Sequence, residues 1–266
     1  MLLCSVRDCH LPLERAERRL SCARGHSFDV ARSGYINLLQ PQDRRSRHPG
    51  DTARAVAARR RLHDLGVTTP LLEAMAAMLD AGPSDIVLDA GCGDGFYLGG
   101  LARQAGFDAH GVDISTRAVD AAARRYPPAE GRWEWIVANA DRFLPYAAGA
   151  FSIVLSITGR MNASEFRRVL RGGGTLLVAL PAPDDLIELR SPAGATGRDR
   201  VARTVETFAQ GFTLAGQRRV TTSSELTAAA VADVLLSIYR PMRAQPPEAG
   251  RVTFSLDVLL FRATES

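Results

Sequence analysis

From Ile86 onward the chain alternates short apolar runs with amphipathic stretches. IVLDAGC (86–92), AHGVDIS (109–115), WEWIVANAD (133–141), FSIVLSIT (151–158) and TLLVALPAP (175–183) read as strands. GFYLGGLARQA (95–105), TRAVDAAARRY (116–126) and NASEFRRVLRGGG (162–174) read as helices between them. Near-continuous apolar strands separated by helices predict an α/β fold with a doubly wound parallel sheet, because such strands are covered on both faces. FTLAGQRRVTTSSEL (212–226) and RVTFSLDVLLFRA (251–263) alternate apolar and polar residues, as an antiparallel edge would, around a helix over TAAAVADVLLSI (227–238). Upstream, residues 41–61 are polar and turn helical after Gly50, with Asp51 or Thr52 as N-cap. A second helix covers 70–80, with Pro70 in its first turn. The first 40 residues are too few to fold on an apolar core of their own.

Charge sharpens this division. All 33 basic residues are Arg, with 29 acids and a net charge of +4. Residues 1–61 hold 13 Arg against 6 acids, a surplus of +7, and the remainder holds 20 against 23, or −3. The missing Lys reads as overall composition, but the basic head implies an anionic partner, and Arg forks well onto phosphate. A hydrophobic fraction of 46% and a charged fraction of 23% suit a globular protein. No apolar run is long enough to cross a bilayer, and MLLCSVRDCH carries charge too early for a secretory leader, so a cytoplasmic location away from membranes is expected.

In a reducing compartment clustered Cys point to metal rather than disulfides. Cys4-x4-Cys9, twelve residues, then Cys22-x3-His26 supply two close pairs of ligands, a set suited to one tetrahedral Zn2+. Four protein ligands leave no open position, so the zinc is expected to be structural and to supply folding energy to the short head. His10 is a rival for the fourth place. Free thiols with a surface His are the bland alternative.

A glycine-rich turn, Asp89-Ala90-Gly91-Cys92-Gly93-Asp94-Gly95, ends the first strand of the sheet and opens a helix. Such a turn lets backbone approach a cofactor at a helix N-terminus. Asp113, closing the next strand 20 residues after Gly93, is placed to accept from ribose hydroxyls, and Asp141 closes the third. Cys92 reads as a small buried residue. Trp133 and Trp135 read as packing. The D-x-G-x-G-x-G spacing resembles the S-adenosylmethionine motif of class I methyltransferases, which implies that Asp141 accepts from the adenine amino group.

The head and the sheet together resemble the RlmA-type family of large-subunit rRNA guanine-N1 methyltransferases, which includes the tylosin-resistance enzymes. C-x3-HSFDVARSGYINLLQPQDRRSRHPGD (22–51), AARRR (57–61), LDAGCGDG (88–95), VDIS (112–115) and AAARRYP (121–127) carry the likeness, which covers about the first 180 residues. It implies a zinc-binding RNA-recognition module over 1–40, an Arg-rich linker and helices over 41–80, and a methyltransferase domain over 81–266. It also implies S-adenosyl-L-methionine as donor and 23S rRNA, in a hairpin loop, as acceptor; a homodimer is left open. The implied donor contacts are Asp89, Gly91, Gly93, Asp94, Gly95, Asp113, Ile114, Asp141 and Thr68. Thr68 stands where the family has Tyr, 156–160 reads SITGR where relatives carry an aromatic-Ala-Pro, Asp185 replaces an expected His, and a Met-x-Pro-x-x-Trp element has no counterpart.

Guanine N1 carries a proton in the neutral base, so a carboxylate could help remove it; Asp185 is the candidate, with capping of the LIEL helix as its alternative role. Arg44, Arg45, Arg47, Arg59, Arg60 and Arg61 are candidate phosphate contacts. Two rival functions stand beside this one: a small-molecule methyltransferase, and a catalytically silent zinc-dependent RNA-binding protein.

Overall fold

The computed structural model describes residues 1–43, 49–128, 131–190, 199–238 and 248–265. Three short strands, β1 (Glu14–Ala16), β2 (Arg19–Ser21) and β3 (Ser27–Asp29), form a small antiparallel sheet in the head. The main sheet has eight strands: β4 (Ile36–Asn37), β5 (Ile86–Ala90), β6 (Asp108–Asp113), β7 (Trp133–Val137), β8 (Phe151–Ile157), β9 (Leu170–Pro181), β10 (Phe212–Leu226) and β11 (Gly250–Ala263). Their order is β10-β11-β9-β8-β5-β6-β7-β4, with β4 to β9 parallel and β11 antiparallel to both β9 and β10. The antiparallel edge matches the alternation seen in the tail.

The helices are α1 (Ala53–Asp64), α2 (Thr69–Met78), α3 (Phe96–Ala105), α4 (Thr116–Arg125), α5 (Ala163–Val169), α6 (Val201–Phe208) and α7 (Ala228–Ser237). Both faces of the sheet are covered, which explains its unbroken apolar runs. One face meets α5, α6 and the head, through Leu88, Val112, Ile136, Phe166, Phe208 and Phe28. The other packs Val87, Val119, Leu98, Met75 and Trp135. Trp133 stacks between Tyr126 and Trp135, and Trp135 is fully buried, so both tryptophans do pack. A third cluster joins α1 to α7 through Leu62, Val231 and Val234. Arg61 reinforces it with a two-pronged bond to Asp233, Nε to Oδ2 at 2.7 Å and Nη2 to Oδ1 at 2.5 Å.

Several boundaries differ from expectation. Thr52 caps α1 by accepting from the Ala55 N–H at 3.1 Å, while Asp51 pairs with Arg59. The helix expected over 162–174 ends at Val169, because Gly172–Gly174 are poor helix formers and belong to β9. The strand expected to reach Asp141 stops at Val137. β4 and α6 carry too little periodicity to be read from sequence.

Gly111 lies in β6 where a Cβ would come within 2.4 Å of the Trp135 ring. Gly111→Ala is expected to cost about 1–3 kcal/mol by overpacking. Urea unfolding should show a lower midpoint with an unchanged slope.

Candidate active site and metal centre

In the head, Cys4 and Cys9 flank a turn containing Asp8 in the left-handed region (φ 62°), and Cys22 and His26 flank one containing Gly25 (φ 81°). These turns fold the looser x4 spacing back on itself. The four donor atoms lie within 4.8 Å of one another. Cys9 Sγ to Cys22 Sγ is 3.8 Å, and Cys4 Sγ and Cys22 Sγ lie 3.5 and 3.4 Å from His26 Nδ1. Tetrahedral zinc with ordinary bond lengths needs donor separations of about 3.5–3.8 Å, so the set fits the ion. Burial pushes the Cys4 thiol up to about 12, a state that a cation reverses. His10 is not a ligand here: it stacks on Phe143 with centroids 4.1 Å apart. The zinc is structural.

The second site is a cleft of about 840 Å³ at the carboxyl ends of β5, β6 and β8, within the roughly 300–1,000 Å³ usual for small-molecule sites. Asp89, Gly91, Gly93, Asp94, Asp113, Ile114 and Asp141 all line it. Gly91 (φ 104°) and Gly93 (φ 54°) hold backbone that a side chain would strain, and Gly95 opens α3. Asp113 is fixed by the Gly93 N–H (3.0 Å) and the Ser115 N–H (2.8 Å). Those two bonds leave lone pairs for a hydroxylated ligand. Asp89 Oδ1 is buried without a hydrogen-bond partner, and burial, helped by Asp113, pushes its carboxyl up to about 8. Burial likewise raises Asp94 and Asp113. This is an acceptor set that suits a cationic ligand with a ribose, as S-adenosylmethionine is.

Other side chains fall elsewhere than expected. Thr68 does not line the cleft; its hydroxyl bonds His63 Nδ1 at 2.7 Å. His63 itself lines the cleft, stacked on Phe96 at 3.9 Å, and burial followed by Arg59 and Arg60 lowers it to about 3. Arg59 points into the cleft, held by Asp51 and by the Ser237 carbonyl (3.1 Å), rather than outward to a phosphate. Arg60 bonds Asp64 at 3.1 Å, and Arg61 is committed to Asp233. Arg44, Arg45 and Arg47 lie outside the described residues. Asp185 is 5% exposed, accepts from the Ser255 N–H at 3.0 Å and is not part of the cleft wall. It does not cap the short 3-10 turn over Ile187–Leu189 either, which starts from Leu186 without a side-chain cap.

Sequence reading missed one wall of the cleft. Gly50 lies against Ser115, where a Cβ would meet the backbone at 2.8 Å, and Ser115 Oγ donates to the Asp51 carbonyl at 3.0 Å. Pro49, Gly50 and Asp51 therefore line the site. Nothing local marks them for this role, because it depends on contact with a turn 64 residues away.

A Rossmann-like sheet with an acid-bounded glycine turn and no dinucleotide spacing defines a class I methyltransferase. Profile comparison agrees: residues 87–174 match the methyltransferase domain family and residues 3–47 match the family described as RlmA, N-terminal. The 23S rRNA (guanine(748)-N(1))-methyltransferase of Streptomyces fradiae is 38% identical over 251 residues, 91% of this chain and 87% of that protein. The chain belongs to the RlmA-type family of rRNA guanine-N1 methyltransferases. Solved structures share the fold. A chain in the complex of the Haloferax volcanii Trm112 methyltransferase activator with a methyltransferase superposes with TM-score 0.57 at 19% identity, covering 80% of this chain and 95% of that one. The YcgJ protein of Bacillus subtilis gives 0.52 at 15%, covering 73% and 98%.

Two outcomes follow from the geometry. Purified protein should carry one zinc per chain, and Cys22→Ser should lose it and melt at lower temperature, read by metal analysis and calorimetry. A cation bound beside Asp89 favours its carboxylate. Donor affinity should therefore rise with pH towards about 8, the pKa of the free carboxyl, and level off above it. Titration calorimetry between about pH 6 and 9 should show this slope in the wild type and a clearly shallower one in Asp89→Asn.

Proposed function

We propose that this protein transfers the methyl group of S-adenosyl-L-methionine to N1 of a guanine in a hairpin loop of 23S rRNA, acting in the cytoplasm. The observation that carries the reading is the buried Asp89 carboxyl beside the glycine turn, whose Oδ1 has no hydrogen-bond partner and which lines the cleft. Arg200 is exposed where it lines the cleft, placed for a passing phosphate backbone. Among the described residues no helix is long and apolar enough to cross a membrane.

In this reading Asp89, Gly91, Gly93, Asp94, Gly95, Asp113 and Ile114 hold the donor, and the zinc module with the Arg-rich linker grips the RNA. When bound, the donor supplies an electrophilic methyl group on a sulfonium. Asp113 and the turn fix its position, so that orientation supplies much of the rate. Arg59 and Arg61 tie α1 to α7 and so set Ser237 and Ile238 against the cleft. Asp185, tied to β11, serves the wall behind β9 rather than the reaction.

Recombinant protein should methylate 23S rRNA, and primer extension should stop at one guanine. Gly93→Arg should abolish transfer, because a side chain there projects towards Arg59, whose Nη1 is 3.7 Å from a Cβ at this position. Donor binding in calorimetry with no transfer to rRNA would favour the small-molecule enzyme.

A further inference from the structure

Two loops meet at the mouth of the cleft, and each brings one charged side chain. Asp141 follows β7 and Arg160 follows β8; Asp141 Oδ2 lies 3.2 Å from Arg160 Nε, with side chains 32% and 71% exposed. Both line the cleft beside Thr158, Gly159, Met161 and the end of β9. A solvated ion pair of this kind contributes little to a fold, and its members readily exchange partners.

The backbone beneath the pair is held far more firmly than the pair itself. Asn162 caps α5 by accepting from the Glu165 N–H at 3.4 Å, while its amide donates to the carbonyls of Ala140 (3.1 Å) and Asp141 (3.0 Å). One side chain thus ties the loop of Asp141 to the element that follows Arg160. Asn139 Oδ1 accepts from the Asp141 N–H at 3.1 Å. On the other loop, Thr158 sits at φ 52°, a strained conformation for a β-branched residue, and its N–H bonds the Ala179 carbonyl at 2.8 Å. Ser156 Oγ donates to the Arg160 carbonyl at 3.4 Å. Fixed backbones carrying loosely paired side chains make a reader for a ligand, not a structural strut.

We infer that Asp141 and Arg160 read the Watson–Crick edge of the target guanine and that Asp141 takes its N1 proton. This rests on the guanine-N1 reading above. Guanine presents an acceptor, O6, beside two donors, N1–H and N2–H; a guanidinium next to a carboxylate is its complement. Adenine offers a donor where O6 would be and an acceptor at N1, so it meets like polarity at both positions. As the bond from N1 to the methyl carbon forms, the bond from that carbon to the donor sulfur breaks, and both electrons stay on sulfur. The N1 proton passes to the Asp141 carboxylate and then to water. Arg160 balances the charge that gathers on O6. The sulfonium becomes a neutral thioether, so no further reactant is needed.

This gives Asp141 a different task from contact with adenine, and the two separate in one set of measurements. Wild type, Asp141→Asn, Asp141→Glu and Arg160→Gln are assayed on 23S rRNA with labelled donor, with product identified by mass spectrometry and donor affinity by calorimetry. Asp141→Asn should lower kcat by about 100-fold or more with donor affinity unchanged. Its residual rate should climb about tenfold per pH unit, because only guanine already ionised at N1 can react. Asp141→Glu should restore part of kcat, and Arg160→Gln should lower kcat and raise KM for RNA. If the wild type forms 1-methylguanine and Asp141→Asn does so at full rate, this inference fails and the guanine reading stands. If Asp141→Asn instead loses donor affinity in step with activity, Asp141 serves the donor and the inference is overturned. If the wild type forms no 1-methylguanine, both fall.

Discussion

The strand order reverses at β5, and every part of the active site answers to that reversal. From β5 the chain runs outward through β6 and β7, then returns to pair β8 on the other side. Loops leaving β5 and β8 must diverge, and a crevice opens between them. The glycine turn lies on one bank and Thr158–Gly159 on the other. They come so close that a Cβ on Gly91 would stand 3.8 Å from Gly159 Cα. A larger residue at either place would narrow the crevice.

The crevice gathers charge of one sign. Asp89 and Asp94 are buried with Asp113 half-buried beside them, and desolvation raises all three. Arg59 and Arg60 offset part of this, since both lower Asp94 and Arg59 lowers Asp113. Neither reaches Asp89 Oδ1. The deficit is therefore local, and it lies where a cationic donor fits. His63, kept neutral by burial and by these same arginines, adds a flat ring on Phe96 without adding charge.

What could be read from the chain was whatever local chemistry dictates. Glycines at 91 and 93 are needed for positive φ, and the ligands Cys4, Cys9, Cys22 and His26 are rare and clustered, so both sites were visible in the letters. The central strands were visible for the same reason, being buried on two faces. What escaped depends on distant contacts. Arg59 and Asp51 belong to the cleft only because Gly50 rests on Ser115. Thr68, expected at the donor, lies off the cleft wall with its hydroxyl on Nδ1 of His63, which does line it. Asp185 was a candidate because it stands where the family has a His, yet its Oδ1 accepts from the Ser255 N–H in β11. β4 is two residues long, and no periodicity fits in two residues.

That short strand has a mechanical meaning. Ile36 and Asn37 pair with Ile136 and Val137, so the module pinned by zinc supplies the outermost strand of the catalytic sheet. Leu3 also donates to the Pro145 carbonyl at 2.9 Å, and Arg15 reaches Glu134 of β7 at 3.1 Å. β4 and β5 are separated by three strand spacings, about 14 Å in all. A hydrogen-bonded sheet does not stretch. The zinc module and the cleft therefore sit at the two ends of a rigid gauge, and under the proposed function a hairpin gripped by the module presents its loop at a set reach from the cleft. Selection of one guanine among many can then be a measurement of length as well as a reading of base edges.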